Sequence, residues 1–216
     1  MPTAAVLPVK RFASAKQRLD PVVRHPLRGD LAQAMVGDVL EALGRCSALA
    51  RTFVVTADEH AAALALGAGA VVVPDRMEDG QSAAAGLGIG TAAAEGFDRV
   101  LCVPGDCPAL DPAEVEGLLD GDTEGVLLVP DRHGTGTNAL LLAPPGAITP
   151  SFGPGSFVRH RELAAAAGVR LEVRRPPSLL LDVDTGEDLQ ALRSHLDSIA
   201  AAPRTRALLG QRLPVG

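Results

Sequence analysis

The chain alternates short apolar runs with longer, alanine-rich amphipathic stretches, and few architectures accept that alternation. Strands separated by helical segments build a mostly parallel central sheet covered by helices, an α/β arrangement in three layers. The spacing predicts strands over residues 4–9, 52–56, 70–73, 99–103, 125–130, 138–143 and 169–174. It predicts helices over 28–45, 58–66, 81–95, 112–119, 156–167 and 187–199. Runs such as Val71-Val72-Val73 and Val100-Leu101-Cys102-Val103 show no polar alternation, as expected of strands buried on both faces. Asp111-Pro112 supplies a cap and a first helical residue, and Thr185 is placed to start the last helix.

A chain of 216 residues, 47% of them hydrophobic, suits one domain over residues 1–202. Residues 203–216 lack clear periodicity and read as a terminal arm, either docked or frayed and disordered. Aromatic residues make up 2% of the chain, with no Trp or Tyr, which removes any base-stacking platform. A net charge of −6 argues against a phosphate backbone as partner, so nucleic acid is not expected. No secretory pattern precedes Lys10 and Arg11, and no apolar run approaches the roughly 18–20 residues of a membrane span. A cytoplasmic placement away from membranes is therefore expected, with the oligomeric state open, a dimer included. Cys46, Cys102 and Cys107 lack scaffold spacing and read as reduced thiols, and the scattered histidines argue against zinc.

Several familiar motifs fail. Gly86, Gly88 and Gly90 lie inside a helical pattern rather than in a strand-to-helix turn, so they do not form a dinucleotide loop. No Walker-type phosphate loop is present. Asp182, Asp184 and Asp188 do not make a calcium loop, because Gly186 falls where a ligand belongs.

Five segments remain. Lys10, Arg11, Lys16 and Arg18 follow the first strand, where ligands of open α/β sheets collect, and suit a polyphosphate as well as they suit a solvated basic loop. Pro104-Gly105-Asp106-Cys107-Pro108 places one carboxylate at a strand's end, as a magnesium ligand or as a turn residue bonding its own backbone. Leu179-Leu180-Leu181-Asp182-Val183-Asp184 reads as another apolar strand delivering two carboxylates to one face, where a cation would relieve their repulsion. Asp131-Arg132-His133-Gly134-Thr135-Gly136-Thr137-Asn138 reads as an anion-cradling loop or a hairpin turn. Phe152-Gly153-Pro154-Gly155-Ser156, followed by Arg159, His160 and Arg161, reads as a helix N-terminus that seats an anion, with Ser156 as its cap. Cations, carboxylates and anion loops together describe phosphoryl or nucleotidyl transfer.

These segments, in this order from about residue 4 to about residue 192, resemble the phospholactate/phosphoenolpyruvate guanylyltransferases of deazaflavin coenzyme (F-420) biosynthesis. The resemblance implies a nucleotidyltransferase fold of the nucleotide-diphospho-sugar transferase type. It implies a guanylyltransferase that uses GTP and a small phosphorylated three-carbon acid, with Mg2+ as cofactor. Thr137, Gly153 and Ser156 would hold the acid, and Asp106, Asp182 and Asp184 the magnesium. Lys10, Lys16, Arg18, Gly80 and Ser82 would bind the nucleotide, with Lys16 and Asp106 catalytic. Gly80-Gln81-Ser82 departs from the family, whose members tend to carry Asn in this loop, and is also seen in molybdopterin-type cytidylyltransferases. A molybdopterin- or sugar-phosphate nucleotidyltransferase is the enzyme alternative, and a non-catalytic nucleotide-binding module the alternative of another class. The Ala/Arg/Gly-rich composition looks bacterial and points to phosphoenolpyruvate as the acid.

Overall fold

The structure, a computed structural model, describes residues 2–19, 23, 27–121 and 124–212. Seven strands form one sheet: β1 (Thr3–Val9), β2 (Arg51–Thr56), β3 (Val71–Pro74), β4 (Arg99–Cys102), β5 (Gly125–Pro130), β6 (Thr137–Ala143) and β7 (Leu171–Val173). Their spatial order is β3-β2-β1-β4-β6-β5-β7. Every pairing is parallel except those of β6, which runs antiparallel to both β4 and β5. The Asp131–Asn138 segment is thus a hairpin connection rather than a crossover.

Alternate residues of each strand feed two separate cores, which is why the strands read as continuous apolar runs. Ala5, Leu7, Val54 and Leu101 face helices α1 (Leu27–Arg45), α2 (Glu59–Gly67) and α4 (Pro112–Leu119). Ala4, Val6, Phe53 and Val100 face α3 (Gln81–Ala94) and α5 (Ser156–Ala166) on the other side. Helix and strand bounds lie within three residues of the sequence reading, and the caps explain the agreement. Asp58 accepts from the amides of His60 and Ala61, Asp111 from Ala113, and Thr185 forms a reciprocal capping box with Asp188 at the start of α6 (Gly186–Leu196).

In a core built from small and branched side chains, α3 approaches the sheet closely at Gly88. A Cβ there would stand 2.5 Å from a Val6 methyl and 2.8 Å from a Val55 methyl. Gly88→Ala should therefore destabilise the fold by about 1–3 kcal/mol through overpacking. A urea midpoint equal to that of the unsubstituted protein would contradict this packing account.

The segment from Pro203, read as docked or frayed, forms helix α7 (Pro203–Arg212), while residues 213–216 lie outside the described residues. Its first amides are capped from another helix: Asp38 of α1 accepts from Arg204 N at 3.0 Å and Thr205 N at 2.8 Å. Leu209 then joins Leu31 and Met35 of α1 and Leu189 and Leu192 of α6 in a third apolar cluster. No helix among the described residues is long and apolar enough to cross a membrane.

Candidate active site

The strand order changes direction between β1 and β4, and ligands of open α/β sheets bind at such a switch point, beyond the strands' carboxyl ends. A cleft of about 530 Å³ opens there. One wall is the loop after β1 with Lys10, Arg11 and Lys16, another the turn after β4 with Gly105 and Asp106. Asp184, Glu78 and Gly80 complete it. The basic loop is held by two short 3-10 turns, Phe12–Ser14 and Gln17–Leu19, and by Asp58, which accepts from Phe12 N at 2.9 Å.

Lys16 lies at the centre. Its Nζ donates to Asp106 Oδ2 at 2.5 Å and to Asp184 Oδ1 at 2.9 Å, and only 9% of its side chain is exposed. Burial works against its charge, but Asp106 and Asp184 outweigh burial and raise its pKa well above the usual lysine value. Asp182 and Asp184 do not end a strand as the apolar run suggested. Pro176 and Pro177 turn that run into the 3-10 turn Pro177–Leu179, and the two carboxylates follow it in an irregular stretch. The stretch is tied to the β4 turn by Val183 N, which donates to Asp106 O at 3.0 Å. The alternation does hold: Val183 is fully buried while its acidic neighbours are part-exposed. Burial, then Asp106, push the pKa of Asp182 up to about 6, partly opposed by Asn138. Asn138 Nδ2 donates to Asp182 Oδ1 at 3.0 Å and to Leu179 O at 2.7 Å.

No three His, Cys, Asp or Glu among the described residues are set as a ready metal cage. The donor chemistry nevertheless fits a hard divalent ion, which takes one or two carboxylates and completes its shell with substrate phosphates and water. Asp106 and Asp184 already share one cation, and Asp106 Oδ1 is buried with no hydrogen-bond partner. A buried carboxylate oxygen left unbonded is costly unless a cation or donor completes it.

In both candidate anion loops several donors are taken up within the protein, and Ser156 is not the cap. In the hairpin, Asp131 fills the cradle itself, accepting from Thr135 N at 2.8 Å, Gly136 N at 2.7 Å and Thr135 Oγ1 at 3.0 Å. Arg132 points away, pairing with Asp188 at 2.7 Å. Before α5 the cap is Gly155, in the left-handed region at φ 73°, and Ser156 is the first helical residue, 1% exposed. Arg159 closes this loop internally, donating to the carbonyls of Ser151, Phe152 and Pro154. His160 is fully buried between the hairpin and the loop: Ser151 N donates to its Nε2 at 2.8 Å, so its proton sits on Nδ1, 3.0 Å from Thr137 Oγ1. Burial, then Arg159, hold its pKa down at about 4.

Thr137 thus meets His160, whose other nitrogen holds the loop in which Gly153 O accepts from Ser156 N, and none of Thr137, Gly153 and Ser156 lines the 530 Å³ cleft. Asn138, beside Thr137, links them to Asp182. Ser82 also stands off the cleft wall and binds the same loop, its Oγ accepting from Phe152 N at 2.8 Å. Gly80, at φ 97°, caps α3 on the wall itself. Arg18 is 71% exposed and 3.9 Å from Asp184. Two features of the site were not singled out from sequence: Asn138, although it ends the hairpin motif, and the bidentate Arg11–Glu78 pair at 2.8 Å across the cleft. The only signal for Arg11 was its place in the basic cluster, and for Glu78 there was none.

Comparison with known proteins identifies the family. Residues 3–206 match the family model described as guanylyl transferase CofC like. The chain belongs to that family. Among its CofC-like relatives, the phosphoenolpyruvate guanylyltransferase of Conexibacter woesei is 46% identical over 99% of this chain and 97% of its own. The 2-phospho-L-lactate guanylyltransferase of Methanothermobacter thermautotrophicus is 35% identical over 96% and 92%. A solved structure from Desulfovibrio desulfuricans G20, described as a nucleotide-diphospho-sugar transferase, superimposes with a TM-score of 0.78 at 18% identity, covering 97% of this chain and 95% of that one. The likeness places the CofC-like chain in the nucleotide-diphospho-sugar transferase type of fold.

Proposed function

We propose that the chain transfers GMP from GTP to phosphoenolpyruvate, or to a closely similar phosphorylated three-carbon acid, releasing diphosphate in deazaflavin coenzyme biosynthesis. The observation that carries this reading is the cation–carboxylate constellation at the β1/β4 switch point of a CofC-like chain. The near-full-length likeness to the Conexibacter woesei enzyme supports phosphoenolpyruvate over the alternatives.

An oxygen of the acid's phosphate attacks the α-phosphorus of GTP, the bond to the bridging oxygen breaks, and diphosphate carries away the electron pair. The nucleophile is already an anion near neutral pH, so no general base is required. Lys10, Lys16 and Arg18 neutralise the triphosphate, and the acid is seated near Thr137, Gly153 and Ser156. Asp106 and Asp184, with Asp182 beside them, would hold a magnesium ion. Such an ion, when bound, supplies charge neutralisation at the reacting phosphates. Asn138 holds the Asp182 carboxylate in place from the acid's side of the site.

Diphosphate release should be measured with GTP, ATP, CTP and UTP against phosphoenolpyruvate, 2-phospholactate and 3-phosphoglycerate. The expected result is release with GTP and phosphoenolpyruvate that drops to background when magnesium is chelated. Faster release with another nucleotide, or with a sugar phosphate in place of the acids, would overturn the assignment.

A further inference from the structure

The Lys16 ammonium sits against two of the carboxylates that would hold a divalent ion. It contacts Asp106 Oδ2 and Asp184 Oδ1, and with Asp182 nearby it is the one buried positive charge among three carboxylates of the described site. Arg18 approaches the same group only from solvent. A carboxylate that accepts from an ammonium still has lone pairs for a metal, but two cations held within a few ångströms of each other repel, so a metal binds these carboxylates better once the ammonium has moved away. The loop that carries Lys16 is suited to such movement. Its residue lies at φ 57°, in the left-handed region that side-chain-bearing residues adopt at a cost, between two short 3-10 turns. Strained positions of this sort collect at sites that switch between two arrangements.

We propose that Lys16 is a built-in competitor for the divalent ion, holding Asp106 and Asp184 together in the free protein and leaving them only when a metal–nucleotide complex arrives. This rests on the guanylyltransferase reading above. Metal alone offers the displaced ammonium nothing to bind, so it binds weakly. A triphosphate offers the ammonium new anionic partners, so metal and nucleotide enter together. The device keeps a bare ion from settling in the site and ties ion capture to substrate.

The test is Mn2+ binding without nucleotide, followed by electron paramagnetic resonance of the free ion, with melting temperature read in parallel. Lys16→Met should bind Mn2+ on the order of tenfold or more tightly than the unsubstituted protein, because repulsion between two cations in one pocket is several times thermal energy. It should also melt lower in metal-free buffer and recover on adding Mn2+, whereas Mn2+ alone should barely move the unsubstituted protein. Lys16→Gly, which suits the left-handed backbone, provides a second folded variant with the same expectation. Arg11→Met removes a positive charge from the same wall without touching the carboxylates, and should shift affinity by no more than about threefold given solvent screening. Unchanged affinity in both Lys16 variants, or equal tightening in Arg11→Met, would overturn the inference. Diphosphate release by the unsubstituted protein, measured in the same buffers, separates the two claims. Activity with unchanged Mn2+ affinity removes only the competitor role, whereas no release with any acid removes the function itself.

Discussion

Asp106→Asn should lower the rate of diphosphate release from GTP and phosphoenolpyruvate by about a thousandfold or more while leaving the fold intact. The side chain meets the Lys16 ammonium at 2.5 Å through Oδ2, and its other oxygen is buried with no partner. Asparagine keeps the size and one acceptor but removes the charge, leaving the cleft less able to hold a cation against the reacting phosphates. Ground-state binding of GTP rests more on Lys10, Lys16 and Arg18, so KM should move far less than kcat. The fold should survive because Asp106 contributes to it through its backbone: its carbonyl accepts from Val183 N, which asparagine preserves. Circular dichroism and the urea midpoint should confirm this. Turnover within about tenfold of the unsubstituted enzyme, in a folded variant, would remove Asp106 from the catalytic machinery.

The sheet was legible because its strands carry their burial in composition. Val100-Leu101-Cys102-Val103 is apolar throughout since odd and even positions enter different cores, and no half-exposed strand would look like that. Helix starts were legible where a side-chain oxygen does the capping, as at Asp58, Asp111 and Thr185. The reversed direction of β6 is not written in its residues, which would suit either orientation. It was readable only from the connection, since the few residues from Asp131 to Gly136 are too short for a parallel crossover.

The site was half legible, for a related reason. Types of residue at strand ends can be read locally, but pairings between distant segments cannot. Arg159, His160 and the amides of Thr135 and Gly136 look like anion-binding machinery in sequence, yet each is consumed inside its own loop or by its neighbour. Leu179-Leu180-Leu181 looks like a strand, yet Pro176 and Pro177 turn the chain and Leu179 instead joins the core beside Cys107. The Lys16 ion pairs span 90 and 168 residues of sequence, beyond the reach of any local pattern.

Acid should weaken this protein through His160, and the direction follows from its hydrogen bonds. Ser151 N donates to Nε2, so a proton added there would face another donor and break the link between the hairpin and the loop before α5. Folding therefore holds the pKa at about 4 against the usual 6.5, chiefly by burial. For a group whose pKa is lowered on folding, the unfolded chain binds more protons between these two values. The stability it confers is complete above about pH 6.5 and is lost as pH falls toward 4. The difference corresponds to about 3 kcal/mol, a large share of a typical domain's stability. His160→Gln cannot take up the charge. It should be less stable at neutral pH, because glutamine cannot reproduce both imidazole contacts, and its urea midpoint should fall more gently between pH 6.5 and 4 than that of the unsubstituted protein. Parallel pH profiles for the two proteins would show that the imidazole is not the acid-sensitive joint, and would shift attention to the carboxylates at the mouth of the cleft.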